Sequence, residues 1–407
     1  MSLFVQKYGG TSLANAGCIR KVARRIANTW DKGNQVVVVA SAMGDTTDDL
    51  IQLAHEISHR PSKRELDVLL STGEIVSSTL LAMALKEIGY DAISLTGAQA
   101  GIQTDCAYSQ AHILKIDASR VVAEIATGKI VIVAGFQGVT DGMDTTTLGR
   151  GGSDTTAVAL AAALKADCCQ RFTDVDGIYT ADPRLVPEAR RLDEISYEEM
   201  LEMATYGAKM VHPRAVELGE IFQVPIQVSS SFAEGPGTLI HRGVSAMEVR
   251  NKVRGIAHDF DVAKITVVGV PDLPGIAAAI FQPLAEAGIS VDTIVQNASA
   301  NNITDLTFTV AMGKLGEAMG VVESVAKSVG AVGCVSDDRL GKVSIIGTGM
   351  QNAPGYAARM FATLAEQNIN IQMISTSEIR ITCIVEESRV KDAVVALHQA
   401  FKLDTAD

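Results

Sequence analysis

Six residues within one short run have the types and spacing to do chemistry. The segment LGRGGSDTTAVALAAAL, residues 148 to 164, sets Gly149, Arg150, Gly151, Gly152, Ser153 and Asp154 at the mouth of a predicted helix. The glycines permit positive-φ backbone and let amides approach a ligand closely. Ser153 or Asp154 is a natural N-cap, and Ala157, Leu160, Ala161 and Leu164 keep helical spacing. Free amides and the helix dipole make such a turn an anion site. Arg150 adds a planar fork suited to a carboxylate or phosphate. Asp154 repels an anion unless a cation stands between them, so it calls for a lysine or a metal and points to phosphoryl transfer. The plainer alternative is a tight βα turn that packs an alanine-rich helix against a sheet.

Other candidates lie at strand ends. Lys7 closes the first predicted strand directly before Gly9, Gly10, Thr11 and Ser12. Its ordinary alternative is a snorkelling surface lysine. Glu74 in LSTGE, taken alone, reads equally as an exposed helix-start carboxylate. TDVDGIYTADPR, 173 to 184, carries Asp-Gly and Asp-Pro turn signals. No GxxxxGK[ST] occurs, so the glycines are not those of a P-loop. His212, followed by Pro213, is assigned a structural role and no proton transfer.

The elements that must position these residues are legible up to about residue 230. Strands are predicted at 3–9, 35–43, 91–97, 129–138, 168–175 and 225–230, with helices at 18–29, 63–88 and 155–165 among them. Runs as apolar as VVVVA and IVIVAG are buried on both faces, as in a mostly parallel sheet covered by helices. Ligands in such sheets bind at the carboxyl ends of the strands. Glycine, serine and threonine gather there: Gly9 to Ser12, Ser41 to Gly44, Gly135 to Gly138, and Thr173-Asp174.

SSFAEGPGTLIHRGVS, near 230 to 245, is a loop-rich boundary, and an internal repeat follows it. Residues 264–294 and 342–374 align on Pro274-Gly275 and Pro354-Gly355. Each copy places a break 14 residues after the proline and an isoleucine, Ile294 or Ile374, 20 residues after it. A repeat near 80 residues is too long for a solenoid unit and predicts two small βαββαβ domains.

With 407 residues, 47% hydrophobic and 20% charged, the chain reads as two or three globular domains. A net charge of −12 argues against nucleic-acid binding. Six cysteines without metal-ligand spacing predict a reduced, cytoplasmic protein. No signal-peptide pattern and no membrane-length apolar run is expected.

KYGGTS, LSTGE, GRGGSD and TDVDGIYTADPR, in that order, resemble the aspartate kinases, and the Pro-Gly repeats resemble paired ACT domains. The resemblance implies a three-layer αβα amino-acid-kinase domain at 1–245 with a mostly parallel sheet. Two ferredoxin-like ACT domains follow at 246–336 and 337–407, with a strand near 253–258 pairing into the second. It implies transfer of the γ-phosphoryl of ATP to the β-carboxylate of L-aspartate, with Mg²⁺ brought by the nucleotide and no metal ligand assigned to the protein. The acceptor carboxylate has an ordinary pKa near 3.9 and needs no general base.

Carried over residue by residue, Lys7 and Asp154 match catalytic positions. Ser41, Thr47, Glu74, Arg150 and Ser153 match the aspartate site, with Glu74 facing the α-ammonium. Lys7, Tyr8, Gly9, Gly10, Thr173, Asp174, Tyr179, Asp182, Arg184 and Lys209 match the nucleotide site. Asp272, Gly275, Ala277, Gln296, Asn297, Asn370 and Ile371 match effector positions, which implies lysine and threonine as regulators and a homo-oligomer joined through ACT domains. The sequence leaves open whether a shorter regulatory chain starting near Met247 is also made, as in some relatives, and no room is expected for an appended dehydrogenase domain. Two other readings are another amino-acid kinase, which Glu74 disfavours for N-acetylated substrates, and an inactive amino-acid sensor.

Overall fold

The computed structural model describes residues 1–208, 210–243, 252–297, 302–350 and 353–405. Lys209 and Met247 therefore lie outside the described residues. Two compact units are present. The first comprises Met1–Tyr179, Arg191–Thr205 and the described residues of Lys209–Met247.

The first unit begins with β1 (Leu3–Tyr8), α1 (Ala16–Asp31), β2 (Gln35–Ala40), α2 (Thr46–Ile57), α3 (Lys63–Glu87) and β3 (Ala92–Leu95). It continues through β4 (Ile102–Thr104), β5 (Ile113–Ile116), α4 (Ser119–Ala126), β6 (Ile130–Ala134), β7 (Gln137–Val139) and β8 (Thr145–Thr147). It closes with α5 (Gly152–Leu164), β9 (Cys168–Thr173), β10 (Glu194–Ser196), α6 (Tyr197–Thr205), α7 (Pro213–Phe222), β11 (Ile226–Ser230) and β12 (Thr238–His241).

Eight strands form the main sheet in the order β10-β12-β11-β9-β1-β2-β6-β3, and only the β11–β12 pair is antiparallel. Strand periodicity divides its two faces. Tyr8, Val36, Val38, Ile130, Ile132 and Phe172 share one core cluster with Ile19, Val22, Leu81 and Leu85 of α1 and α3. The alternate residues point to the other face, where the alanine-rich α5 packs on β1, β2 and β9. A smaller sheet, β5-β4-β7-β8, is joined to α3 through Asp67. Asp67 is fully buried and accepts hydrogen bonds from the amides and hydroxyls of Ser109 and Thr147.

Several expectations shift. The predicted strand at 129–138 is two strands in different sheets, because Phe136 takes φ +67 and breaks the extended chain. α5 starts at Gly152, so Ser153 and Asp154 lie within its first turn. Gly151, at φ +73, occupies the N-cap position that Ser153 or Asp154 was expected to fill. α2 and the smaller sheet add to the predicted elements, and the strands of that sheet are only three or four residues long. α3 is long and apolar enough to cross a membrane by length and composition, yet its buried residues include Asp67 and Glu74.

The second unit comprises Thr180–Arg190, Tyr206–Ala208 and the described part of Glu248–Asp407. Its elements are β13 (Gly255–Asp259), β14 (Ala263–Pro271), α8 (Ile276–Glu286), β15 (Ile294–Gln296), β16 (Ile303–Val310), α9 (Leu315–Ser328) and β17 (Gly333–Asp337). Then come β18 (Leu340–Ile346), α10 (Tyr356–Glu366), β19 (Met373–Thr376), β20 (Arg380–Glu386) and α11 (Val390–Ala400). Two antiparallel sheets result, β15-β16-β14-β17 and β13-β18-β20-β19. β13 precedes the first repeat in sequence and pairs with β18 of the second. Both Pro-Gly turns end in a left-handed glycine that caps the next helix, Gly275 at φ +95 and Gly355 at φ +106. Ala181 and Val186 join Val343, Ile345 and Leu397 in one core of this unit, and Thr180 Oγ1 lies 2.9 Å from His398 Nε2.

Candidate active site

Parallel pairing brings the carboxyl ends of β1, β2, β6 and β9 to one edge of the main sheet. On the α5 face of that edge, Lys7 of β1 meets the first turn of α5. Lys7 Nζ lies 2.6 Å from Asp154 Oδ1, and the two side chains are 8% and 7% exposed. Arg171 of β9, in register beside Lys7, places its Nε 3.1 Å from each Asp154 oxygen. Burial alone would raise the Asp154 carboxyl, but the Arg171 and Lys7 charges prevail and hold it well below the usual carboxylate range. Burial pulls the Lys7 ammonium below its ordinary value, Asp154 opposes that, and Arg171 adds to it.

Glycines let the surrounding loops close on this centre. A Cβ on Gly10 would fall 2.9 Å from the Gly44 carbonyl, and Gly44 N donates to Gly10 O at 3.0 Å. A Cβ on Gly151 would fall 2.2 Å from the His212 ring, which lies under the turn carrying Arg150. His212 Nδ1 accepts from Arg214 N at the start of α7, and Arg214 donates to the Leu148 and Ala111 carbonyls. His212 is thus built into the scaffold of the turn. Arg150 is exposed, with no hydrogen bond or ion pair among the described residues.

A second polar group sits behind the loop after β2. Glu74 lies mid-way along α3, not at a helix start, so the exposed helix-end alternative fails. Its Oε1 accepts from Ala42 N at 3.1 Å, while Oε2 is buried without a hydrogen-bond partner. Burial pushes this carboxyl up to about 7, against the pull of the Ala42 amide and the Lys7 charge. Ser77 Oγ donates to Ser41 O at 2.7 Å, and Ser41 N donates to Tyr8 O. Gly73 admits α3 against this loop, since a Cβ there would meet Ala42 Cβ at 2.9 Å. Thr47 is half-buried in the first turn of α2. Ser153, 7% exposed, stands 2.9 Å from where a Cβ on Gly135 would be.

The nucleotide set falls on several elements of both units. Strand alternation sends the Tyr8 ring to the α1/α3 face, fully buried and stacked on Phe172 at 4.9 Å. Only its backbone remains at the site edge. Gly9 follows it, with its amide 3.4 Å from Phe172 O. Thr173 ends β9 and donates to Asp174 Oδ1, and Tyr179 OH donates to Asp176 at 2.7 Å. Asp182 and Arg184 pair with each other in the second unit. Lys209 is outside the described residues. No group of three or more His, Cys, Asp or Glu among the described residues is placed to hold a metal ion.

In the second unit, Asp272, Gly275 and Ala277 form the exposed turn into α8, and Gln296 and Asn297 end β15. Thr304 pairs with Val270 and donates to Asn297 O, which puts both groups at one end of the sheet. Asn370 is exposed and Ile371 half-buried in the link between α10 and β19.

Arg171 is the residue that sequence reasoning passed over. The signal was present: one guanidinium between Cys169 and Phe172 in a buried strand, two strand positions before Thr173. What sequence could not supply was the β1–β9 register that sets it beside Lys7.

Residues 2–230 match the amino acid kinase family, and residues 265–325 and 343–401 match the ACT domain. An aspartate kinase of Stutzerimonas stutzeri is 52% identical over 404 residues, covering 99% of this chain and 98% of its own length. An aspartokinase of Mycolicibacterium smegmatis is 49% identical, covering 100% and 98%. Aspartokinase III of Escherichia coli, solved with aspartate and ADP, superposes with a TM-score of 0.82 at 27% identity over 98% of this chain and 99% of that one. The same enzyme with lysine and aspartate gives a TM-score of 0.75 at 26% identity and the same coverage. The sequence, the parallel sheet with its charged edge and the two ACT segments agree with these relatives, and the chain belongs to the aspartate kinases of the amino acid kinase family.

Proposed function

We propose that the edge of the main sheet transfers the γ-phosphoryl of ATP to the β-carboxylate of L-aspartate, giving 4-phospho-L-aspartate and ADP. The observation that carries this reading is the pairing of a buried charged centre, Lys7 and Arg171 about Asp154, with a buried Glu74 oxygen that lacks a donor. A carboxylate oxygen of aspartate attacks the γ-phosphorus as the bond to the β-phosphate oxygen breaks, and ADP leaves. No proton is abstracted, because the acceptor is ionised at neutral pH. The task is to bring two anions together and to stabilise charge on the transferring oxygens, which positioned cations and amides do. Lys7 and the amides after Gly9 and Gly10 hold phosphate. Asp154 orients the cations.

Glu74 takes the substrate α-ammonium, and Arg150 takes a substrate carboxylate by its fork. Ser41, Thr47 and Ser153 line that end. Thr173, Asp174, Tyr179, Asp182, Arg184 and Lys209 are assigned to the nucleotide from family resemblance. Both Asp154 oxygens are engaged by Lys7 and Arg171. From family resemblance, Mg²⁺ is taken to enter as the nucleotide complex.

Lysine is proposed as an effector because an Escherichia coli relative was solved with it. Threonine, the homo-oligomer, a shorter regulatory chain and a cytoplasmic location rest on resemblance. Asp272, Gly275, Ala277, Gln296, Asn297, Asn370 and Ile371 are the proposed effector contacts. The test incubates the chain with MgATP and L-aspartate and traps acyl phosphate with hydroxylamine, with lysine and threonine added singly and together. Hydroxamate that forms only with aspartate supports the reading, and its absence overturns it. A rate that neither amino acid changes overturns the regulatory part.

A further inference from the structure

Three charged side chains meet where the proposed mechanism uses two. Lys7 and Arg171 occupy paired positions on adjacent parallel strands, and Asp154 is bound to both. The arginine is an expensive occupant. It is 14% exposed, its Nε is fixed on Asp154, and its Nη1 is buried without a hydrogen-bond partner. An apolar side chain would fill this strand position without an unsatisfied buried charge. Packing therefore gives no reason for it, whereas charge balance does. Lys7 with Asp154 alone is a neutral pair whose ammonium field is largely cancelled. With Arg171 the cluster carries a net charge of one positive unit, which is what an incoming polyphosphate requires.

We infer that Arg171 is a positioning residue of the phosphoryl-transfer centre: it holds both oxygens of Asp154 and so leaves the Lys7 ammonium's charge for the transferring phosphate. The inference rests on the phosphoryl-transfer reading above. It makes Asp154 a shared counter-ion whose orientation is set by β9 as well as by β1. The groups acting on Lys7 are Asp154 of α5, Arg171 and Cys169 of β9, and Glu74 of α3. Of these, only Arg171 adds a like charge, so its removal must make Lys7 harder to deprotonate.

The test compares R171Q and R171K with the full-length parent. R171Q should lose about 30-fold or more in kcat, with KM values for aspartate and ATP within about threefold, and R171K should recover most of the loss. In R171Q the alkaline limb of kcat should move to higher pH. The pH midpoint for acetylation of Lys7, read by mass spectrometry, should move the same way. A folded R171Q with kcat within about threefold of the parent and an unchanged Lys7 midpoint overturns the inference. So does an R171K as inactive as R171Q. If R171Q does not fold, R171M, which also removes the charge, takes its place and is judged by the same criteria. The labelling arm needs no substrate, so it still tests Arg171 if the parent makes no aspartyl hydroxamate, a result that would overturn only the functional reading.

Discussion

Lys7 Nζ stands 2.6 Å from Asp154 Oδ1, with both side chains more than nine-tenths buried. At that distance in a poorly hydrated place the carboxylate is the counter-ion that allows the lysine to stay charged. The carboxylate stays ionised for the same reason, so it has no affinity for a substrate proton.

Asp154→Asn should therefore lower kcat by about 10²–10³-fold while the aspartate KM changes little. Removing one member of a buried ion pair also destabilises, by about 3–5 kcal/mol. Initial rates and thermal melts check both. A rate that recovers as pH is raised would mean Asp154 takes a proton after all, and would sink the organising role.

Glu74→Gln should raise the aspartate KM by about 10–100-fold, the loss of one charge-assisted hydrogen bond to an ammonium. Because burial lifts Glu74 to about 7, kcat/KM for the parent should fall as pH drops below 7, and Glu74→Gln should lack that acidic limb.

The same group sets a stability trend in the ligand-free chain. A folded pKa raised from 4.5 to about 7 gives stability that is fully present below pH 4.5 and is lost as pH rises through 7. The full effect is about 3 kcal/mol. Glu74→Gln should thus melt higher than the parent at pH 8 and alike at pH 4.5. Equal melting at pH 8 would show that Glu74 is not ionised at a cost.

Gly151→Ala should misplace Arg150, because the residue has φ +73 and a Cβ would fall 2.2 Å from the His212 ring. The left-handed backbone alone costs about 1–2 kcal/mol, and the clash adds to it. Activity should drop at least about tenfold through the aspartate KM. The double variant Gly151→Ala/His212→Ala should recover the steric part, and strictly additive losses would rule out the contact.

Asp67→Asn should lower stability by about 2–3 kcal/mol, since the buried carboxylate accepts four donors and an amide would aim an N–H at some of them. Chemical denaturation measures it. A loss under about 0.5 kcal/mol would mean the smaller sheet is held to α3 by other contacts.

The sequence made the chemistry legible where one segment carries several polar residues at a strand end. Lys7 before Gly9-Gly10 and Asp154 after the glycine turn were both visible, because strand ends and helix starts are local signals. Neither the direction of the Tyr8 ring nor the place of Arg171 beside Lys7 was legible, and one cause covers both. Which face a strand residue takes depends on its neighbours across the sheet, and register is a long-range property. The N-cap shift at α5 has a different origin, since a left-handed glycine can begin a helix without a side-chain cap. Glu74 was legible as a residue but not as a buried one, because α3 shows weak amphipathic spacing over its 25 residues.

Ala181 and Val186 lie in sequence within the span of the first unit, yet they complete the core of the second. The two units are therefore interleaved along the gene. A fragment that begins near Met247 lacks those two side chains and the Thr180 hydroxyl that faces His398. A chimera joined at residue 245 would unite a core from one parent with Ala181 and Val186 from the other, so 180–190 should come from the same parent as the ACT segments.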